Sequence, residues 1–274
     1  MDKDTLIFTA VQGPLYERLA ANLFRSIKAF HANSVTACLS KTAPKFCDIH
    51  IPFAGDINEF CIDSVPYSFK LGLLPKLKDE LKNFKKLIYI DSDSECVDTM
   101  HFDESIYNSD FYSAWCQSIV TENNDIQSKI NPDWNWLGLS FQNLADFAAA
   151  HRLKEWKNVN GGLIVISCDK VDVIREKFHA WVDKIKSFYG EPKGQDELVL
   201  SLLQAELNPS YATPNIAKNG ICQLNTQHDP RTIRQTKSFT YEPWFNTSGS
   251  TRVKATCVHS FGWKKILADS APEM

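Results

Sequence analysis

Between Lys85 and Cys96 the chain reads KKLIYIDSDSEC, and this stretch limits the possible folds more than any other. Four apolar residues, Leu87 to Ile90, run straight into Asp91-Ser92-Asp93. A short apolar run rich in β-formers predicts a strand buried on both faces, as in a parallel sheet covered by helices. Side chains alternate along a strand, so Asp91 and Asp93 point the same way, roughly 7 Å apart along the chain. Two carboxylates at the end of a buried strand repel each other and are costly to desolvate, so a cation is expected between them. In open α/β sheets, ligands bind outside the carboxyl ends of the strands. A hard divalent cation that also grips a diphosphate meets both demands.

The rest of the chain supplies the alternation such a sheet needs. Thr5 to Val11 reads as the first strand. Gln12-Gly13-Pro14 then turns into a helix, with Pro14 in the first turn, where its missing N–H is harmless. Leu15, Leu19, Leu23, Ile27 and Phe30 keep a helical period. Ser34 to Leu39 and Asp48 to Phe53 read as strands two and three, which predicts a right-handed βαβ unit. Pro66 to Phe84 reads as a second helix, with Leu71, Leu74, Leu77, Leu81 and Phe84 on one side. Asp110 to Cys116 reads as a further strand. Residues 118–158 form a long insert, irregular over its first half and carrying Trp134 and Trp136. Such an insert often forms part of a binding cleft, although tryptophans also simply pack. Leu163 to Ser167 is the next buried strand. The helix that follows, with Val171, Ile174, Phe178, Trp181, Ile185 and Phe188 on its apolar face, is broken at Glu191-Pro192-Lys193-Gly194. Gln195-Asp196-Glu197 opens another helix. Residues 223–252 are polar and unpatterned, a candidate mobile loop, and the short apolar piece Ala255 to Val258 leads into His259.

With 274 residues, 43% of them hydrophobic, the chain can bury a full core. No linker-like tract divides it. The expectation is one α/β domain over residues 1–274 with a mostly parallel central sheet. A net charge of −3 argues against a nucleic-acid surface. The eight cysteines form no CxxC pair, and several sit in apolar runs. That fits reduced, buried thiols in a cytoplasmic protein better than a disulfide framework or a zinc site. The first residues show no targeting pattern, and no run of about 18 apolar residues occurs. A soluble protein is expected, with peripheral membrane association left open. No GxGxxG follows the first strand and no GxxxxGK[ST] loop occurs, so dinucleotide-binding and P-loop readings lose their main support.

Two enzyme classes use a strand-end Asp-x-Asp triplet. Haloacid-dehalogenase-type phosphohydrolases use the first Asp as nucleophile in a pattern DxDx[TV]. Here the fifth position is Glu95, and the triplet ends a middle strand instead of the first. The chain as a whole resembles the other class, the metal-dependent nucleotide-sugar glycosyltransferases of the GT-A fold. Within it the resemblance is to the retaining glycogenin-like and bacterial lipopolysaccharide galactosyltransferase group. Four features carry it: the strand with Asp91-Ser92-Asp93; Asn160-Gly161-Gly162 before an apolar strand; Asp196-Glu197 opening a helix, where many have Asp-Gln; and His259-x-x-Gly262-x-x-Lys265, like their HxxGxxKPW without its last two residues. In order and spacing these cover roughly residues 5 to 265.

The resemblance implies a Rossmann-like GT-A domain that moves a sugar from a nucleotide-sugar, a UDP-sugar first among them. The acceptor would be a hydroxyl of a saccharide, glycolipid or protein, and the anomeric configuration would be retained. It implies Mn²⁺ or Mg²⁺ on Asp93, Asp91 and His259, with Asp91 on the metal or the donor ribose. An imidazole beside two carboxylates tilts that choice towards Mn²⁺. Lys265, with Lys264 beside it and Gly262 before it, would add positive charge to the leaving diphosphate. Thr9, Ala10, Val11 and Gln12 would cradle the nucleoside, with Tyr16 near the base and Asp63 near base or ribose. Lys70, Ser92, Asn160 and Gly161 would line the donor site. Asp196 would bond hydroxyls of the donor sugar, with Glu197 beneath the anomeric carbon. A carboxylate there can stabilise an oxocarbenium-like transition state or act as nucleophile. The plainer alternative for both acids is helix capping and dipole complementation. A GT-A fold that only binds sugar nucleotides stays open.

Overall fold

Thr5–Ala10 forms β1, and all of it is buried, as a strand covered on both faces requires. The computed structural model of the chain describes residues 4–102, 104–120, 135–153, 156–190, 196–208, 221–223, 230–241, 251–259 and 264–269. After β1, α1 (Pro14–Phe30) leads to β2 (Val35–Ser40) and β3 (Ile49–Pro52). The predicted run ahead of the triplet is β4 (Lys86–Ile90), again buried throughout. The central sheet has six strands in the order β3-β2-β1-β4-β9-β6, with β6 spanning Phe111–Val120 and β9 spanning Trp156–Ser167. The first four run parallel. The buried apolar side chains of these strands and of the flanking helices form one continuous core, each large one stabilising the fold by about 1.5–3 kcal/mol.

β9 departs from the parallel pattern: it runs antiparallel to both β4 and β6. It is also longer than Leu163 to Ser167 suggests, because Trp156 to Asn160 pair with β6 across irregularities in register. Its direction decides what stands next to the triplet. Leu163 pairs with Ile90, and Asp91 N–H donates to Gly162 O at 2.9 Å. Asn160-Gly161-Gly162, which precedes the apolar half of β9, therefore lies at the carboxyl end of β4. In a parallel strand the same three residues would lie at the opposite end of the sheet.

The single helix expected over Pro66 to Phe84 is replaced by short pieces. These are α2 (Phe69–Gly72), a 3-10 turn (Leu74–Leu77) and α3 (Lys78–Leu81). Pro75 removes a backbone donor and disfavours helical geometry at Leu74. Gly72 passes so close to another segment that a Cβ there would lie 1.8 Å from Phe60 O. The leucine face survives nonetheless, with Leu71, Leu74, Leu77 and Leu81 all buried.

Downstream of β4 the chain forms β5 (Ser94–Cys96), α4 (Glu104–Tyr107) and then β6. The insert is more regular than expected: β7 (Asn135–Trp136), β8 (Leu139–Ser140) and α5 (Phe141–Ala150) lie within it. Ser140 caps α5, its hydroxyl accepting from Asn143 N–H while the Asn143 side chain returns a bond to the Ser140 backbone. Residues 121–134, Trp134 among them, and the Trp136 side chain lie outside the described residues. α6 (Val171–Tyr189) ends at Gly190, whose φ of 80° is the left-handed cap that glycine provides. α7 (Asp196–Leu207) packs on β9.

The 223–252 segment also corrects its expectation. Pro230–Thr236 is a helix, and β11 (Ser238–Tyr241) pairs with β12 (Thr251–Lys254). Arg234 Nε fixes this helix to the buried Glu95 carboxylate at 2.6 Å. Residues 224–229 and 242–250 lie outside the described residues. A second sheet joins β10 (Ile221–Gln223), β13 (Cys257–His259) and β5. Cys38, Cys47, Cys61, Cys96, Cys168 and Cys257 are free thiols; the Cys116 and Cys222 side chains lie outside those described. Among the described residues no helix is long and apolar enough to cross a membrane.

Candidate active site

β1 has β2 on one side and β4 on the other, so the connections leaving their carboxyl ends diverge. A crevice at such a switch point is the expected ligand site of an open α/β sheet. The structure has a cleft of about 510 Å³ there. Ala10, Val11 and Gln12 line it from the end of β1, and Asp91, Ser92 and Asp93 from the end of β4. Tyr16, Ile57, Asn58, Tyr67, Phe69, Lys70, Tyr89, Asn160, Asp196, Glu197, His259 and Lys264 complete the walls. Gln12 holds one wall in place: its Oε1 accepts from Ile57 N–H at 3.0 Å and its Nε2 donates to Gly55 O at 3.2 Å.

Asp93 and His259 are distant in sequence and are joined by strand pairing. The chain turns within the triplet, Ser94 N–H donating to Asp91 O at 3.0 Å, and enters β5, which pairs antiparallel with β13 and sets Ser94 opposite His259. His259 Nε2 then lies 3.0 Å from Asp93 Oδ1 and 3.6 Å from Asp91 Oδ2. Ligand atoms of Asp91, Asp93 and His259 all fall within 4.8 Å of one another. Lys264 Nζ reaches Asp93 Oδ2 at 3.2 Å. Burial alone would push the Asp93 carboxyl up, but His259 and Lys264 outweigh it and hold it well below the usual carboxylate range. Burial would likewise depress His259, yet Asp93 and Asp91 hold it above its ordinary value. Two carboxylates and an imidazole, mostly buried and converging on one point, form a donor set suited to a divalent cation.

Asp91 divides its two oxygens. Oδ2 faces His259, while Oδ1 accepts from Tyr89 OH at 2.8 Å and has Lys70 Nζ at 3.7 Å. Lys70 is buried beneath the cleft, where its ammonium pairs with Asp196 Oδ2 at 3.1 Å and donates to Gly161 O at 3.1 Å. Burial works against the Lys70 charge, but Asp196 and Asp91 more than compensate and raise it above its ordinary value. The same burial lifts the Asp196 carboxyl despite the pull of Lys70. Glu197 is raised to about 7, first by burial and then by the neighbouring Asp196 charge. Its Oε1 accepts from Asn160 Nδ2 at 3.2 Å and Gly161 N–H at 3.4 Å.

Steric crowding accounts for both glycines of the Asn-Gly-Gly motif. A Cβ on Gly161 would lie 2.8 Å from both Asp196 Oδ2 and Lys70 Nζ. One on Gly162 would lie 2.7 Å from Asn160 Oδ1 and 2.7 Å from His259 Nδ1. Bare backbone here lets the ion pair and the imidazole approach the strand.

Of the residues singled out in the sequence, the cleft brings together Ala10, Val11, Gln12, Tyr16, Lys70, Asp91, Ser92, Asp93, Asn160, Asp196, Glu197 and His259. Gly161 lies directly behind them. Thr9 does not line the cleft, because it is fully buried inside β1. Asp63 is also away from it, its Oδ2 meeting His179 Nδ1 on α6 at 2.6 Å. Gly262 and the Lys265 side chain lie outside the described residues, while its neighbour Lys264 lines the cleft. Tyr67, Phe69, Ile57 and Asn58 carry no local sequence signal. Tyr89 does, since it stands two residues before Asp91 on the same strand face. A comparison with protein-family models found no match, and one with curated proteins found no significant match.

Proposed function

We propose that this chain is a GT-A-type glycosyltransferase that moves a sugar from a nucleotide-sugar, first among them a UDP-sugar, to an acceptor hydroxyl with retention. The observation that carries the reading is the convergence of Asp91, Asp93 and His259 at the switch point of the sheet, in one cleft with the buried Asp196 and the half-buried Glu197. Those three residues would hold Mn²⁺ or Mg²⁺, Mn²⁺ being favoured by the imidazole. The ion would supply Lewis-acid stabilisation to the departing diphosphate.

The chain's own side chains do the rest. Tyr16 and Tyr67 are exposed aromatics on the cleft wall and offer faces to a base. Lys264 places a cation beside Tyr16, where it can meet a phosphate. Asp196, fixed by Lys70, is an acceptor for sugar hydroxyls. Glu197 is oriented by Asn160 and Gly161 and can counter positive charge developing at an anomeric carbon.

A thermal-shift panel of nucleotide sugars with and without Mn²⁺, followed by a UDP-release assay, tests this reading. Stabilisation by a UDP-sugar that requires Mn²⁺ and turnover abolished by Asp93→Ala are expected. Full activity in EDTA would remove the metal. UDP binding without turnover would leave a binding protein, and phosphate release from an aryl phosphate would leave a phosphohydrolase.

A further inference from the structure

Asp93 has a cationic or donor partner on each oxygen: His259 Nε2 on Oδ1 at 3.0 Å and Lys264 Nζ on Oδ2 at 3.2 Å. An ammonium and a dication cannot share one carboxylate oxygen at such range without strong mutual repulsion. Lys264 is also placed to leave. It opens the helix Lys264–Asp269, whose far end is moored to α1 by Arg18 Nη2 donating to Ala268 O at 2.7 Å and by Ala268 packing on Leu19. The helix is therefore anchored, while the Lys264 side chain, 31% exposed, reaches across the cleft. It already holds a second partner: Nζ donates to Tyr16 OH at 3.4 Å and lies 5.1 Å from the centre of the Tyr16 ring.

We propose that Lys264 is a built-in competitor for the cation site. It neutralises Asp93, yields that carboxylate to an entering divalent cation, and keeps its contact with Tyr16, where its charge meets the donor's diphosphate. Metal entry thus frees the lysine that completes the donor site, and the two ligands bind in that order. The competition stands on the geometry around Asp93; the diphosphate half rests on the proposed glycosyltransferase reading.

Titration with Mn²⁺ alone, followed by electron paramagnetic resonance or calorimetry, separates the two halves. Lys264→Met, which keeps length and removes charge, is expected to bind Mn²⁺ roughly tenfold tighter than wild type. In saturating Mn²⁺ it is expected to bind UDP roughly tenfold weaker. Lys264→Arg keeps the charge and should retain wild-type Mn²⁺ affinity, which guards against a general effect of altering the helix start. A lysine with a merely structural role would not move the two affinities in opposite directions. Asp93-dependent Mn²⁺ binding that Lys264→Met leaves unchanged or weakens overturns the competition. Tighter Mn²⁺ with unaltered UDP affinity overturns the diphosphate role. Equal Mn²⁺ binding by wild type and Asp93→Ala overturns the metal site itself, and this proposal with it.

Discussion

Gly162→Ala is the sharpest probe of how the strand and the imidazole fit together. The Gly162 backbone cannot back away, because its N–H donates to Asn160 Oδ1 at 2.8 Å and its carbonyl accepts from Asp91 N–H at 2.9 Å. A methyl group would stand 2.7 Å from His259 Nδ1, whereas ordinary contact begins near 3.4 Å, so the ring must move by about 0.7 Å. His259 is pinned on its other side by Asp93 at 3.0 Å. Overpacking of this kind costs about 1–3 kcal/mol. If all of it falls on the placement of His259, Mn²⁺ affinity drops roughly 5- to 150-fold. If the fold absorbs it instead, the melting midpoint falls by about 2–12 °C. Calorimetric Mn²⁺ titration beside a circular-dichroism melt tells these apart, and the expected outcome is a large affinity loss with a small change in Tm. In a His259→Ala background the obstructed ring is gone and only the 2.7 Å approach to Asn160 Oδ1 is left, so Gly162→Ala should add a smaller affinity loss than in wild type. Wild-type Mn²⁺ affinity in the single variant, or an equal loss in both backgrounds, would refute the steric argument.

Two further substitutions test the floor of the cleft. Lys70→Met leaves Asp196 and Asp91 without their shared buried cation and should destabilise the fold by about 3–5 kcal/mol; an unchanged denaturation midpoint would sink the ion-pair account. Glu197→Gln keeps the oxygen that accepts from Asn160 and Gly161 but removes the titration. Because the folded-state value is raised from 4.5 to about 7, the unfolded chain ionises first, and wild type loses stability as pH rises through that window. The variant should therefore melt higher than wild type at pH 8 and match it near pH 4. Parallel melting curves at both pH values would contradict this. If Glu197 works at the anomeric centre, kcat should also fall far more than donor affinity.

The parallel half of the sheet is legible because β1, β2, β3 and β4 are short runs between breakers, and the burial of β1, β2 and β4, with β3 a half-exposed edge, leaves little choice of partner. Direction is another matter. Leu163 to Ser167 reads as a buried strand, yet its composition holds no sign of which way it runs. That is settled by long-range pairing with β4 and β6. The Pro66 to Phe84 segment shows a different limit. Its leucines report correctly which side is buried, but periodicity reads burial and not backbone hydrogen bonding, and Gly72 and Pro75 interrupt the latter.

The site divides along the same line. Asp91 and Asp93 are legible as a pair at the end of a buried run, but β4 ends at Ile90. A turn closed by Ser94 N–H donating to Asp91 O at 3.0 Å, not strand alternation, places Asp93. His259 lies far along the chain, and only the pairing of β13 with β5 brings it to Asp93; local sequence cannot supply that register. Lys264 reaches Asp93 from the start of a helix far along the chain, a placement that no local pattern in the residues encodes. Tyr89 is the residue that alternation alone could have found. Tyr89 and Asp91 stand two apart on one face, so a hydroxyl two residues before a carboxylate is placed to hold it, and Tyr89 OH does so at 2.8 Å. With one oxygen of Asp91 held there, its other oxygen is turned to His259. The triplet is therefore better read together with Tyr89, the tyrosine orienting the first acid towards the cluster that could hold a cation.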